Sequence, residues 1–367
     1  MRAFVIVHKV MGIEEMSEGV EHRRGAFFGI AAAALFGCSA PVAKLLLPQV
    51  GLLPLSGLLY LGAALGLTLF RLARQSAGRR SREAPLRRAD WWLLLGVVVF
   101  GGVLGPVLML IGLGRLSGLA GSLLLNLEAP LTILLAVAFF GEHLGKSQAA
   151  ATVLILFGAV LLAYQPGALA GDWSGALAIA GACLSWAIDN NLSQRLSLRD
   201  PVAVVQVKGF GAGGCILLIA LVTGARFPSP VLVGAALMLG MVSYGVSLVL
   251  NMHALRLLGA ARQGAIFATA PFIGALVAVP LLGDRPSAVT LVAGALMVVG
   301  IAALVREHHR HLHTHEAIEH EHLHAHDEHH PHSHEGPVTE PHSHRHAHVR
   351  LTHDHPHVPD LHHRHIH

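Results

Sequence analysis

Two stretches of this chain share one unusual build: each is apolar enough to lie in a bilayer, yet each carries a proline near its middle. The first is RLSGLAGSLLLNLEAPLTILLAVAFFGE, from Arg115 to Glu142, and the second is RLLGAARQGAIFATAPFIGALVAVPLLGD, from Arg256 to Asp284. Without a gap, Arg115 falls on Arg256, Gly118 on Gly259 and Ala129-Pro130 on Ala270-Pro271. Gly141-Glu142 then meets Gly283-Asp284 after a slip of one residue. Proline has no N–H, and its ring collides with the carbonyl four residues back, so it breaks or kinks a helix. Inside a bilayer the freed backbone groups need partners from protein or from a water-filled cavity. A duplicated broken helix in a membrane chain therefore points to a secondary transporter of two repeats, with its substrate site near the midplane.

Only 13% of the 367 residues are charged, against about 25% in soluble domains. Apolar runs of about 20 residues, the length a bilayer requires, lie at roughly 25–47, 52–71, 91–113, 117–140, 148–165, 173–193, 201–223, 231–251, 261–282 and 287–305. The fold class expected is an all-α membrane protein of ten transmembrane helices in two inverted five-helix repeats, followed by a disordered tail. The division is a leader at 1–24, repeats at 25–165 and 166–305, and a histidine-rich tail at 306–367. Five spans per repeat is an odd number, so the two halves must enter the membrane with opposite orientation. Seven arginines between Arg71 and Asp90 put that loop in the cytoplasm by the positive-inside rule. Both termini then lie on the cytoplasmic side of the cytoplasmic (inner) membrane. Topology accounts for the arginines, and no nucleic-acid partner is expected. Cys38, Cys183 and Cys215 all fall in apolar runs and read as small packing residues, not as a disulfide framework or a metal site.

The duplication reaches further. Gly25-Ala26 matches Gly175-Ala176, Phe36-Gly37 matches Trp186-Ala187, and Lys44 falls opposite Gln194. With ALFGCSAPVAKLL in the first span and LLLNLEAPLTILLAVAFFGEHL at the fourth-to-fifth junction, the chain resembles the EamA family of the drug/metabolite transporter superfamily. GACLSWAIDNNLSQRL and FATAPFIGALVAVPLLGD are the weaker second copies. The resemblance covers about residues 25–305. It implies secondary transport of a small solute, often export of an amino acid or metabolite, with no cofactor required and the lipid bilayer as the constant partner.

Polar groups inside the spans are the candidates for the substrate or coupling cavity. A charge at mid-bilayer costs roughly 2.5–3.5 kcal/mol on insertion scales and usually faces the interior. Glu128 lies deep in the fourth span, with Asn126 before it and Pro130 after it. It reads as a proton or cation site, or else as a structural carboxylate bonded to a neighbouring helix. Asp189 and Asn190 close the apolar run of the sixth span, where Trp186 sits at cavity depth. Lys44 either snorkels to the interface or faces the cavity. Lys208 is buried enough to want a carboxylate partner, Glu128 or Asp189. Tyr244, Ser247 and Asn251 share one face of the eighth span, and Pro271 marks the second break. Trp91-Trp92 and Trp173 read as interfacial anchors, and the glycines around Gly101, Gly102 and Gly105 as sites of close helix approach.

The tail holds all but four of the 28 histidines. It alternates through His311, His313 and His315, then His320, His322, His324 and His326. The pattern returns at His342, His344, His346 and His348, at His353, His355 and His357, and at His362, His363, His365 and His367. Imidazole ligates Zn, Ni, Co and Cu well, so divalent metal ions are expected partners there, with regulation of the transporter as the consequence. The chain has no phosphate-binding GxxxxGK[ST] loop and no local nucleophile–histidine–carboxylate set, so an enzyme is not expected. The leading reading is a small-molecule transporter for a polar metabolite. A transporter of Ni, Co or Zn and a metal-sensing scaffold without transport are the alternatives. The topology makes a direct prediction: a reporter or accessible cysteine at Ser81 reports cytoplasm and one at Leu169 the outside. The opposite labelling would invert the molecule.

Overall fold

The computed structural model describes residues 23–78, 83–140, 145–163, 173–196, 199–258 and 260–306. It also describes four tail segments, 309–315, 319–324, 342–347 and 351–357. The leader up to residue 22 and His326, His348, His362, His363, His365 and His367 lie outside the described residues.

The body is helical throughout, as an apolar chain in lipid must be, because a helix satisfies its backbone within one segment. The helices are α1 (Arg23–Val50), α2 (Leu52–Ser76), α3 (Arg88–Arg115), α4 (Gly118–Phe139), α5 (Lys146–Ala163), α6 (Trp173–Leu196), α7 (Pro201–Val222) and α8 (Pro230–Ala254), followed by α9 (Ala260–Phe267), α10 (Ala270–Leu282) and α11 (Ala288–Arg306). Seven of them, α1 to α5 with α7 and α8, are long and apolar enough to cross a membrane, and α10 and α11 are shorter apolar helices. This is a multi-span membrane protein. The 24-residue α6 is long enough to span, but it carries the polar run Asp189-Asn190-Asn191. The ninth expected span is divided into α9 and α10 at Ala268-Thr269.

Both breaks fall just before the Ala-Pro pairs. In α4 the helix tightens to a 3₁₀ turn at Leu125–Leu127 and restarts as Glu128–Phe140. In the second copy α10 restarts at Ala270, with Pro271 in its first turn. Proline is tolerated in the first turn of a helix, where the N–H has no intrahelical partner. Each proline thus begins a new half-helix instead of kinking a continuous one.

Helices equivalent under the duplication pack together: α2 against α7, and α5 against α11. Glycine sets the closest approaches. A Cβ on Gly62 would overlap the backbone of Leu237, and one on Gly240 the carbonyl of Leu59, so α2 and α8 touch backbone to backbone. Outward faces carry Trp92, Phe139, Val222 and Val231, each more than three-quarters exposed, as a lipid-facing surface requires. Trp91-Trp92 and Trp173 sit near the starts of α3 and α6.

Two departures from plain α-helix were not expected. A π-helical segment occupies Val97–Leu104 in α3 and another Met241–Val246 in α8, the third helix of each repeat. The tail is described in four segments. Its described segments are strands: β1 (His309–His315) pairs antiparallel with β4 (Leu351–His357), and β2 (Glu319–His324) with β3 (His342–Ala347). The physical reason is the period: alternation of residue type every second position is the pattern of a strand.

The α2–α8 contact is testable. Gly240→Leu should cost on the order of 1–3 kcal/mol, the usual range for overpacking, and lower the thermal midpoint in detergent. Gly214, whose added Cβ meets nothing within 4 Å, should accept the same change without loss.

Candidate functional site

The two breaks bring the polar residues of the bundle to one place. α6 crosses the second half of α4, and there Asn190 Nδ2 donates to Glu128 Oε1 at 2.8 Å and to Thr132 Oγ1 at 3.4 Å. Asn191, next along, donates to the carbonyls of Ala187 (2.8 Å) and Thr132 (3.3 Å). It therefore serves the packing of the two helices, leaving Asn190 to the carboxylate. One residue earlier Asp189 turns the other way and forms an ion pair with Lys208 of α7, its second oxygen receiving Ser193 Oγ at 3.3 Å. Side-chain exposures of 6% for Asp189 and 17% for Lys208 make this a largely buried pair. Asp189 is thus the carboxylate that Lys208 takes.

The Asp189–Lys208 pair sits on a floor of glycine. A Cβ on Gly101 would overlap both charged groups, and one on Gly105 the indole of Trp186. The carbonyl of Gly101 lies within the π-helical part of α3 and receives two donors, Tyr60 OH at 2.7 Å and Trp186 Nε1 at 3.1 Å. One backbone oxygen thereby fixes two aromatic rings.

These groups line a cavity of about 240 Å³. Glu128, Asp189, Asn190, Trp186, Lys208, Tyr244 and Asn251 are all on its wall, with Phe36, Tyr60, Ser247 and Phe267 beside them. The aromatic side is a connected cluster: Phe36 meets Tyr244 edge-on with centroids 5.5 Å apart, and Phe267 and Tyr60 stand 5.2 and 5.7 Å from Phe36 and Tyr244 respectively. A narrow extension of about 30 Å³ shares Phe36, Glu128, Trp186 and Tyr244 and runs on to Ala270 and Pro271. Walls therefore come from both repeats, and both helix breaks border the space.

Three sequence candidates lie elsewhere. Lys44 donates to the carbonyls of Leu113 and Leu116, the latter at 2.6 Å, so it caps the end of α3. Asn126 is 3% exposed and bonds the carbonyl of Leu123 at 2.9 Å beside Met297 of α11. Pro130 starts the second half of α4 without lining the cavity. Conversely, Tyr60 and Gln263 gave no sign in the sequence. Gln263 is buried and donates to Asn251 Oδ1 at 2.5 Å, orienting a wall residue. Cys183 is buried too, and its thiol lies 3.7 Å from the carbonyls of Leu124 and Leu125 at the α4 break. Among the described residues of the helical body no three of His, Cys, Asp or Glu converge as a ready metal cluster.

Contacts between the repeats lie at both ends. At one end Arg115 bonds Ser174, and Asp284 accepts from the backbone N–H of Leu119 at 2.7 Å, filling the start of α4. At the other Arg71 pairs with Asp200, and Arg199 with Asp90, each at 2.8 Å.

The model of the EamA-like transporter family matches the chain twice, over residues 23–164 and 173–306. An uncharacterized transporter of Methanothermobacter thermautotrophicus is 30% identical over 307 residues, which cover 78% of this chain and 88% of that protein. A solved crystal structure at 21% identity covers 77% of this chain and 97% of its own, with a TM-score of 0.55, a likeness of fold.

The buried pair makes a prediction of its own. Removing one partner of a buried ion pair typically costs 3–5 kcal/mol because the other charge is left unpaired, whereas replacing both is close to neutral. Asp189→Asn and Lys208→Met should each lower the unfolding midpoint in detergent strongly, and the double variant should recover most of the loss.

Proposed function

The chain belongs to the EamA-like transporter family, and from that premise we propose that it carries a small polar metabolite across the cytoplasmic membrane by alternating access. The observation that supports this reading best is the cavity, whose walls come from both repeats and whose charges are unequally committed. Lys208 is taken by Asp189, so among the described residues Glu128 is the cavity acid left with an amide, Asn190, as its partner. A carboxylate held by a neutral donor in a low-dielectric cavity can accept a proton or receive the ammonium of a substrate. The aromatic wall of Phe36, Tyr60, Tyr244 and Phe267 suits the apolar part of such a solute, and 240 Å³ suits a small one. An EamA-type transporter needs no cofactor.

Access follows from the ends of the helices. Asn190 and Asn251 lie toward the ends of α6 and α8 that meet the arginine-rich side, so in this conformation the cavity extends toward the cytoplasm. The contacts of Arg115 with Ser174 and of Asp284 with the start of α4 then form the outer closure. Rocking one half against the other exchanges these contacts for an opening at the far side. The tail binds divalent transition metal and adjusts the transporter from the cytoplasm. Its ten acids outnumber its four arginines from Glu307 onward, so with neutral imidazoles it is anionic until metal reduces the charge.

Uptake of labelled metabolites and of zinc or nickel into proteoliposomes tests the reading. Glu128→Gln should abolish metabolite transport while leaving insertion and folding intact. Full activity in that variant, or transport of the metal ions alone, would sink the proposed role of the cavity.

A further inference from the structure

The strands of the tail do more than carry histidine; their register pairs it. On one ribbon His309 stands opposite His357, His311 opposite His355 and His313 opposite His353. On the other, His320 stands opposite His346, His322 opposite His344 and His324 opposite His342. Cross-strand neighbours in an antiparallel pair have Cβ atoms about 4.5–5.5 Å apart, and residues two apart on a strand share a face. The first ribbon therefore gathers seven histidine positions on one face, with His315 standing opposite Leu351, and the second gathers six. The intervening positions are of another kind: Leu312 opposite Asp354, Thr314 opposite Thr352, and Glu321 opposite Arg345. Opposite charges directly across from one another favour their own register, and a slip of one residue would send every histidine to the other face.

We propose that these two ladders are register-defined binding sites for a divalent transition metal ion such as Zn²⁺ or Ni²⁺, with the rectangle His311, His313, His353 and His355 as the core of the first. This rests on the reading of the tail as metal-binding and specifies where and how. Two-stranded ribbons are marginally stable alone in water. An ion bound across both strands supplies what the ribbon lacks, so its binding energy is also folding energy. Acid releases the ion because imidazole takes a proton near pH 6.5. Composition alone would make every histidine equivalent; a ladder does not.

That difference is the test. Zn²⁺ and Ni²⁺ affinity of the full-length protein in detergent is measured by competition with a chelator, together with the metal-induced change in far-ultraviolet circular dichroism. One variant carries His311→Ala, His313→Ala, His353→Ala and His355→Ala. A second removes the same number of imidazoles between the strands, at His329, His330, His332 and His334. The first should lose at least ten-fold in affinity for the tightest ion and much of the metal-induced strand signal; the second should lose neither. Equal losses in the two variants would overturn the ladder while leaving a metal-binding tail in place. An unaltered protein that binds neither ion would remove the tail's metal function altogether.

Discussion

Everything in the bundle depends on one constraint: a backbone polar group in the hydrocarbon must find a partner, and lipid offers none. A helix can break there only where other protein or a wet cavity surrounds the break. The two breaks of this chain, at Leu125–Leu127 and at Ala268-Thr269, are surrounded in that way. The thiol of Cys183 lies near the carbonyls of Leu124 and Leu125, and Gly37 is bare so that the carbonyl of Ala270 can lie against α1. Close packing on one side of each break and the cavity on the other are two consequences of the same two prolines.

Charge within the cavity obeys the same logic. Desolvating Asp189 or Lys208 alone would be costly, and their attraction offsets this only with good geometry and further hydrogen bonds. Ser193 supplies one of those bonds to Asp189. Gly101 leaves the room, because any larger residue would overlap the pair. The π-helical stretch around Gly101 then turns a carbonyl toward Tyr60 and Trp186, and such stretches recur at functional sites. α8 has its own π-helical stretch, and there the residue presented is Tyr244. Equivalent distortions in equivalent helices thus furnish different chemistry.

Much of this could be read from residue types and spacing. Proline in an apolar run announced the breaks, and Glu128, Asp189, Asn190 and Lys208 were singled out because charge in lipid demands a reason. What escaped was whatever depends on direction. Lys44 and Asn126 are as polar and as deep in sequence as the cavity residues, yet one caps α3 and the other turns back on its own helix. Helical phase decided this, and spans drawn to a few residues do not fix phase. Tyr60 and Gln263 were silent for a related reason: each acts through one partner far away in sequence, Gly101 and Asn251. In the tail the period of two was visible, but the pairing of β1 with β4 across some forty residues was not.

The duplication also explains why one acid stands alone. Glu128 and Thr269 hold the same place before their Ala-Pro pairs. Thr269 Oγ1 donates to the carbonyl of Ile266 at 2.6 Å, one turn back, so its short side chain is spent on the helix break itself. Glutamate cannot donate when ionised, and its longer side chain carries the carboxylate away from its own backbone to Asn190 on α6. In the first repeat the equivalent carbonyl, that of Leu125, has the thiol of Cys183 on α6 at 3.7 Å instead. A residue relieved of satisfying its own helix is free to face the cavity. The scaffold is therefore nearly symmetric, since both halves need the proline break. The chemistry is not, since only one half has passed that carbonyl to a neighbouring helix and placed a carboxylate on the cavity wall.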